Sequence, residues 1–425
     1  MATTYLTRTG VTPTISNKYT FSCWIKRGAI GTTETIFRTY SDSNNSAQLI
    51  FDSDDSFAFQ DIIGGTTVTN LKPSNLFRDT GAWMNFIVQV DYTQATAADR
   101  AKIFINGVEV SYSATTVQSE GGASMLNTAN NNALGSNRSN SSHYFTGSMS
   151  QVNFIDGTAY PATAFGSVNA TSGIWVANSG PTVTYGTNGF FLDMANSSDM
   201  GNDVSGNAND FTVGGGTVTQ IEDTPDNNFA TLNPLVQGTS TNARTFSNGN
   251  NTIVLGRDSA SVSTLGVTSG KYYCEIKCVT DAANPIIGIA GLSSPALTNP
   301  WGGTNLVGVD EYGYVNDGTK KGNAGSFTSY GDTWTTGDII SIAYNATTGT
   351  LWFGKNGTWQ NSATATEIAN GTTTNSAFTG LSGTYFMGCC DAATPTGDTF
   401  STNFGNGYFG TTAVASAGTN ASGNG

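Results

Sequence analysis

Thr350 to Trp359 reads TLWFGKNGTW. In a strand of period two, Leu351 and Phe353 point to one face and Trp352 to the other. Asn356-Gly357 is the dipeptide that most readily takes positive φ at both central positions, so it closes a tight hairpin. Ala101 to Val110, AKIFINGVEV, repeats the design. There Ile103 and Ile105 alternate with Phe104, and Asn106-Gly107 makes the turn. One hairpin logic used in both halves of the chain predicts two β-sandwich domains built alike.

Composition agrees. A chain of 425 residues is too long for one sandwich and comfortable for two or three domains. It holds 52 glycines, with Thr, Ser and Asn abundant, and only 11% of its residues are charged. The usual charged share is about 25%. Such a surface is made of hydroxyls and amides rather than ion pairs. It suits short strands and many turns, and the scarcity of Leu, Glu, Lys and Arg leaves little for helices.

The charge balance, 17 basic against 30 acidic residues for a net −13, argues against nucleic acid, which needs a basic face. No apolar run is long enough to cross a membrane, so no membrane insertion is expected. The start, MATTYLTRTG, lacks a charged region followed by an apolar one, so no signal peptide is expected. A secreted-looking surface without a secretion signal fits a virion protein made in the host cytoplasm. Five cysteines, Cys23, Cys274, Cys278, Cys389 and Cys390, read as small buried hydrophobes rather than as a disulfide framework or a zinc site.

Residues 1–178 form the first predicted domain. Tyr19 to Lys26 alternates cleanly, and Ile36 to Tyr40, Gln48 to Asp52 and Ser56 to Gln60 follow as short strands. Trp83 to Tyr92, WMNFIVQVDY, is the strongest alternation of this half, and Gly147 to Asp156 closes the sandwich. About nine or ten strands and no amphipathic helix are expected. FSCWIKRG at Phe21–Gly28, AWMNFIVQVD at Ala82–Asp91, KIFINGVEV at Lys102–Val110 and GSMSQVNFIDG at Gly147–Gly157 stand in an order that resembles the concanavalin A-like, laminin-G-type lectin domains of phage structural proteins. The resemblance implies a jelly roll that meets sugar or protein partners at rim loops or on a sheet, with calcium held by Asp and Asn in some relatives. Candidate ligand-binding residues are Asp42 and Asn44, with Asn45 beside them. Asp52, Asp54 and Asp55 are the candidate calcium ligands, calcium being the one cofactor considered. Short Asp/Asn clusters also serve plain turns, because their side chains bond back to the backbone. His143, the single histidine, has no elbow motif around it and reads as loop packing. No paired-carboxylate strand motif occurs, so no catalytic residue is assigned.

Residues 179–230 read as a Gly/Asn-rich connector with some strand, notably Gly189 to Met194. Residues 231–412 form the second predicted domain, and 413–425 a flexible tail. GKYYCEIK at Gly270–Lys277, IIGIAG at Ile286–Gly291, GDIISIAYNATTGTLWFGKNGTW at Gly337–Trp359 and YFMG at Tyr385–Gly388 resemble, in order, the SPRY domain. That likeness implies a bent β-sandwich that binds protein or peptide partners through edge loops. In the loop Leu297–Asn305, Trp301 between Pro300 and Gly302 reads either as a candidate anchor or as a ring folded back over the sandwich edge, with Tyr312 and Tyr314 flanking the same edge.

The expectation is therefore an all-β chain of two tandem antiparallel β-sandwich, jelly-roll domains, and not an enzyme. The expected function is that of a bacteriophage virion protein of the tail-fibre or adhesin type, binding host cell-surface glycan or protein through rim loops and meeting other virion proteins. A homo-oligomer, such as a trimer, would suit a fibre, although no heptads support it. The alternative is capsid or tail decoration with an architectural role.

Overall fold

A computed structural model describes residues 3–137, 142–236, 243–282, 284–292, 310–323, 325–391, 397–415 and 418. It is nearly all β, as expected, and divides into two compact units. One comprises Met1–Gln220 with Thr224–Asn228, the other Ile221–Asp223 with Phe229–Gly425.

Two large antiparallel sheets build the first unit, with a two-stranded pair, Gly166–Val168 and Trp175–Ala177, beside them. The eight-stranded sheet runs Tyr112–Thr116, Thr66–Pro73, Phe57–Ile63, Asn45–Phe51, Glu34–Asp42, Asn131–Leu134, Tyr5–Thr9 and Thr212–Gly215. The six-stranded sheet runs Phe190–Leu192, Gly147–Asp156, Lys18–Arg27, Met84–Asp91, Ala101–Ile105 and Val108–Glu109. Alternation decides which side of each strand is buried. Phe21, Cys23, Phe37, Leu49, Phe51, Phe57, Phe59, Phe86, Val88 and Phe154 all meet in one core. Their rings interlock at aromatic-pair distances, for example 5.3 Å between Phe21 and Phe37 and 4.9 Å between Phe57 and Phe86.

The stretch expected as a connector is built into this unit. Phe190–Leu192 pairs with Gly147–Asp156, and Thr212–Gly215 pairs with Tyr5–Thr9. The reason is burial: Phe190, Leu192 and Phe211 sit in the first core.

In the second unit a seven-stranded sheet runs Arg244–Ser247, Thr252–Leu255, Thr399–Asn403, Lys271–Thr280, Ile339–Asn345, Thr350–Lys355 and Thr358–Trp359. A six-stranded sheet faces it, in the order Ser259–Val262, Tyr385–Asp391, Pro285–Gly291, Glu311–Val315, Thr319–Gly322 and Thr328–Ser329. Leu351 and Phe353 enter the core with Cys274, Ile276, Ile340 and Ile342. Trp352 points the other way, as period two requires, and is nevertheless fully buried. A helix, Ala365–Asn370, lies over it, so that Trp352, Ala343 and Ala363 pack with Trp359 and Ile368. Thr364 and Glu367 start that helix with reciprocal side-chain-to-backbone bonds, and Gly371 in the left-handed region ends it.

The two Asn-Gly hairpins match in detail. Asn106 and Gly107 have φ 48° and 78°, and Asn356 and Gly357 have φ 48° and 80°. Each turn asparagine also clasps the head of the neighbouring strand. The Asn85 N–H donates to Asn106 Oδ1 and the Ile339 N–H to Asn356 Oδ1, both at 2.8 Å. All five cysteines are free and buried.

Candidate functional site

The loop carboxylates of the first unit are already occupied. Asp42 accepts from the Asn44 N–H at 2.8 Å and from Asn45 Nδ2 at 3.1 Å, and Asn45 Oδ1 in turn accepts from the Gly64 N–H. The Asn45 amide, with the Asn44 N–H, holds the exposed Asp42 carboxyl below its usual range. Asn45, with the Asn44 carbonyl that accepts from the Gly65 N–H, therefore ties one hairpin turn to the next, and Asp42 holds both asparagines in place.

The candidate calcium ligands do not fit calcium. Lys72 Nζ lies 3.4 Å from Asp52 Oδ2 and 3.1 Å from Asp54 Oδ2. Hydrogen bonds from Ser56, joined by Lys72, hold Asp54 down to about 2. Asp55 is separate and buried, with Arg27 Nη1 at 3.1 Å, Arg78 Nε at 2.9 Å and the Gly31 N–H at 2.8 Å. Burial pushes its carboxyl up, but the Gly31 N–H and the two arginines outweigh that and leave it below the usual range. Three carboxylates neutralised by three fixed cations offer calcium neither the six to eight oxygens nor the charge it needs.

The second-unit candidates separate. Trp301 lies outside the described residues. Tyr314 is a core residue rather than a rim residue: it is fully buried, and its ring meets Tyr330, Trp334 and Phe353. Its hydroxyl donates to the Asp332 carbonyl. Tyr312 is half-buried at the margin of that core, edge-on to Phe378 and Tyr385 at 5.1 and 6.0 Å. His143 stands beside Asn137, with 3.3 Å between Nδ1 and Nδ2.

A surface not singled out in the sequence emerges on the outer face of the eight-stranded sheet. Following the register from strand to strand gives one lateral row: Thr212, Thr7, Ala133, Arg38, Gln48, Gln60, Asn70, Thr116. Each member neighbours inward residues such as Leu6, Phe37, Leu49, Phe59 and Leu71, so the row faces away from the core. Neighbouring strands stand about 4.8 Å apart, so the row sets hydroxyls and amides at strand spacing on either side of buried Ala133 and Arg38. Gln48 Nε2 donates to Gln60 Oε1 at 2.8 Å. Arg38 donates to Asn137 Oδ1 and stacks on Tyr40 at 4.9 Å. Arg38 Nε and Asn70 Oδ1 are buried without a hydrogen-bond partner. The row carries one cation and no carboxylate. It can exchange hydrogen bonds with a polyhydroxylated or peptide surface, and it has no acid/base pair with which to cleave one.

Residues 2–163 match the family model described as the concanavalin A-like lectin/glucanases superfamily. Residues 271–405 match the SPRY domain. The chain is 33% identical over 106 residues to a Ran-binding proteins 9/10 homolog of Drosophila melanogaster, a match covering 24% of this chain and 10% of that protein. The chain thus spans about a tenth of the curated relative it matches. Among solved structures it is similar to the SPRY domain of human HERC1, at 17% identity and a TM-score of 0.31, covering 40% of this chain and 96% of that one. It is also similar to a heptameric SAP-like pentraxin from Limulus polyphemus, at 14% identity and a TM-score of 0.31, covering 42% and 87%. By the two family models, the chain carries a concanavalin A-like domain and a SPRY domain. These relatives lend no support to a virion origin, which rests on sequence character alone.

Proposed function

We propose that this chain, which joins a concanavalin A-like domain to a SPRY domain, is a non-enzymatic recognition protein of a phage virion. It is of the fibre or adhesin type and takes host-surface glycan or protein. The observation that carries the recognition reading is the register row from Thr212 to Thr116, with its half-buried Gln48–Gln60 pair. Amides and hydroxyls at strand spacing on a sheet face are suited to a ligand rich in hydroxyl groups. Composition supports the virion setting, being Gly-rich, sparsely charged and polar. Display in several copies, as in a homo-oligomer, turns individually weak contacts into avidity.

The test is binding of the purified full-length chain to a glycan array and to bacterial envelope fractions, with and without EDTA. The reading expects binding that survives EDTA, because Asp52, Asp54 and Asp55 already hold their own cations. Absence of glycan and envelope binding at millimolar concentrations, with binding to phage particles alone, would instead assign the chain to capsid or tail decoration.

A further inference from the structure

The hairpin between Arg244–Ser247 and Thr252–Leu255 turns through Asn248, Gly249 and Asn250, three successive residues in the left-handed region at φ 52°, 60° and 67°. Turns of this kind normally lie in water, yet Asn250 is fully buried. Two other segments close round it. The Leu232 N–H donates to the Asn250 carbonyl at 3.0 Å, which brings Thr231 to the turn. The Thr402 N–H donates to the Asn251 carbonyl at 2.7 Å, which carries the ladder of Thr399–Asn403 one step beyond the Thr252–Ser401 pair. Past that strand, Asn403 Oδ1 accepts from the Gly405 and Gly407 N–H groups at 3.0 and 3.2 Å and curls the chain back. The Phe229 ring, two residues before Thr231, lies against Gly405. Thr231, Asn250, Asn251 and Asn406 therefore share one corner of the second unit.

None of these four residues is more than 3% exposed. Five of their side-chain atoms, Thr231 Oγ1, Asn250 Oδ1 and Nδ2, Asn251 Oδ1 and Asn406 Oδ1, are buried without a hydrogen-bond partner among the described residues. Folded chains pair nearly all of their buried polar groups, because an unpaired one is costly. Five in one corner need a common partner. We propose that this corner binds one alkali-metal cation. The set is unbalanced: three amide oxygens can only accept, and against them stand one amide nitrogen and one hydroxyl. A cation satisfies several acceptors from a single centre, and Asn250 Nδ2 donates to a water that completes its shell. Neutral oxygens suit an ion of single charge. Calcium needs six to eight oxygens, carboxylates among them, and none of the five atoms belongs to a carboxylate. Soft transition metals favour sulfur and nitrogen, and an anion would face three carbonyl oxygens. The net charge of −13 draws cations to the chain. Such a site is separate from the row on the first unit and independent of glycan recognition.

The experiment takes the full-length chain into buffer whose only cation is choline. Lithium, sodium, potassium or calcium chloride is then added at constant ionic strength, and thermal unfolding is followed. Hydrogen exchange of the 244–255 amides, read by mass spectrometry, assigns the response to this corner. At least one alkali ion is expected to raise the Tm saturably, by about 5–10 °C at a hundredfold excess over Kd, and to slow exchange in that segment. Thr231→Val, which keeps the shape and removes one oxygen, should weaken that binding by about tenfold. Asn250→Asp, which adds a charge at the same shape, should move the preference from the alkali ion toward calcium. Should Asn250→Asp fail to fold, Thr231→Val alone decides. The same Tm in choline and in each alkali chloride would give the corner to water and overturn the proposal. A preference for calcium in the parent would overturn it too, as would an alkali response that Thr231→Val leaves unchanged.

Discussion

Asp61 is fully buried in the first unit and points into the core from Phe57–Ile63. It accepts from Ser124 Oγ at 2.7 Å and from the Met125 N–H at 3.1 Å, and no ion pair reaches it among the described residues. Burial pushes its carboxyl from 3.8 up to about 6, against the pull of those two donors. The protonated form therefore suits the fold. At low pH the group is protonated in both folded and unfolded chains and has no effect. As pH rises from about 4 to about 6, the unfolded chain gives up a proton that the folded one retains, and stability falls. A rise of that size in the folded state corresponds to about 3 kcal/mol. Asp61→Asn removes the titration and keeps the shape: Oδ1 still accepts from Met125, and Nδ2 donates to Ser124 Oγ, whose hydrogen turns to the Tyr19 hydroxyl 2.9 Å away. The stability of the variant relative to the parent should rise by about 3 kcal/mol between about pH 4 and about pH 7. Urea unfolding across that range measures it, with hydrogen exchange at the Phe59 and Phe86 amides assigning the transition to the first unit. A difference between the two proteins that stays constant with pH would refute the reasoning.

Four further outcomes follow from particular contacts. Gly357→Ala meets open space at φ 80°, so it should cost only the backbone strain of about 1 kcal/mol. Gly107→Ala, at nearly the same φ, drives a methyl to 2.4 Å from the Trp175 ring and should destabilise several-fold more in the same denaturation assay. Arg27→Met strips the buried Glu34 and Asp55 carboxylates of their shared guanidinium, at 3.3 and 3.1 Å, and should cost about 3–5 kcal/mol, partly restored by adding Glu34→Gln. Added calcium should leave the melting of the first unit unmoved, because Asp52, Asp54 and Asp55 are already paired with Lys72, Arg27 and Arg78; a saturable rise in Tm on calcium titration would show otherwise.

The hairpins were legible because their information is local. An Asn-Gly pair between alternating apolar residues fixes both the turn and which side chains enter the core, and both copies fold as read. Tyr5–Thr9 and Thr66–Pro73 were not, because these strands are polar and owe their place to partners far away in sequence. The helix Ala365–Asn370 is six residues long, too short for a periodic signal. Its one readable trace was the Thr364–Glu367 spacing. The candidate surface was hidden for a related reason. The row on the first unit takes one residue from each of eight strands, so nothing clusters in the chain. The acidic loops drew attention as clusters, yet their neighbours in space are arginines and Lys72, which sequence proximity did not reveal. Tyr312 and Tyr314 share a face as read, but that face turns toward the core, so only the margin is left for Tyr312.

Recognition through the outer sheet face is tested most directly by comparing the full-length chain with a Gln48→Ala/Gln60→Ala variant against whichever glycan or envelope fraction binds the parent. The account predicts that the variant folds as the parent does and loses about tenfold or more in affinity, the scale of one or two hydrogen bonds. A correctly folded variant that binds as tightly as the parent would contradict it.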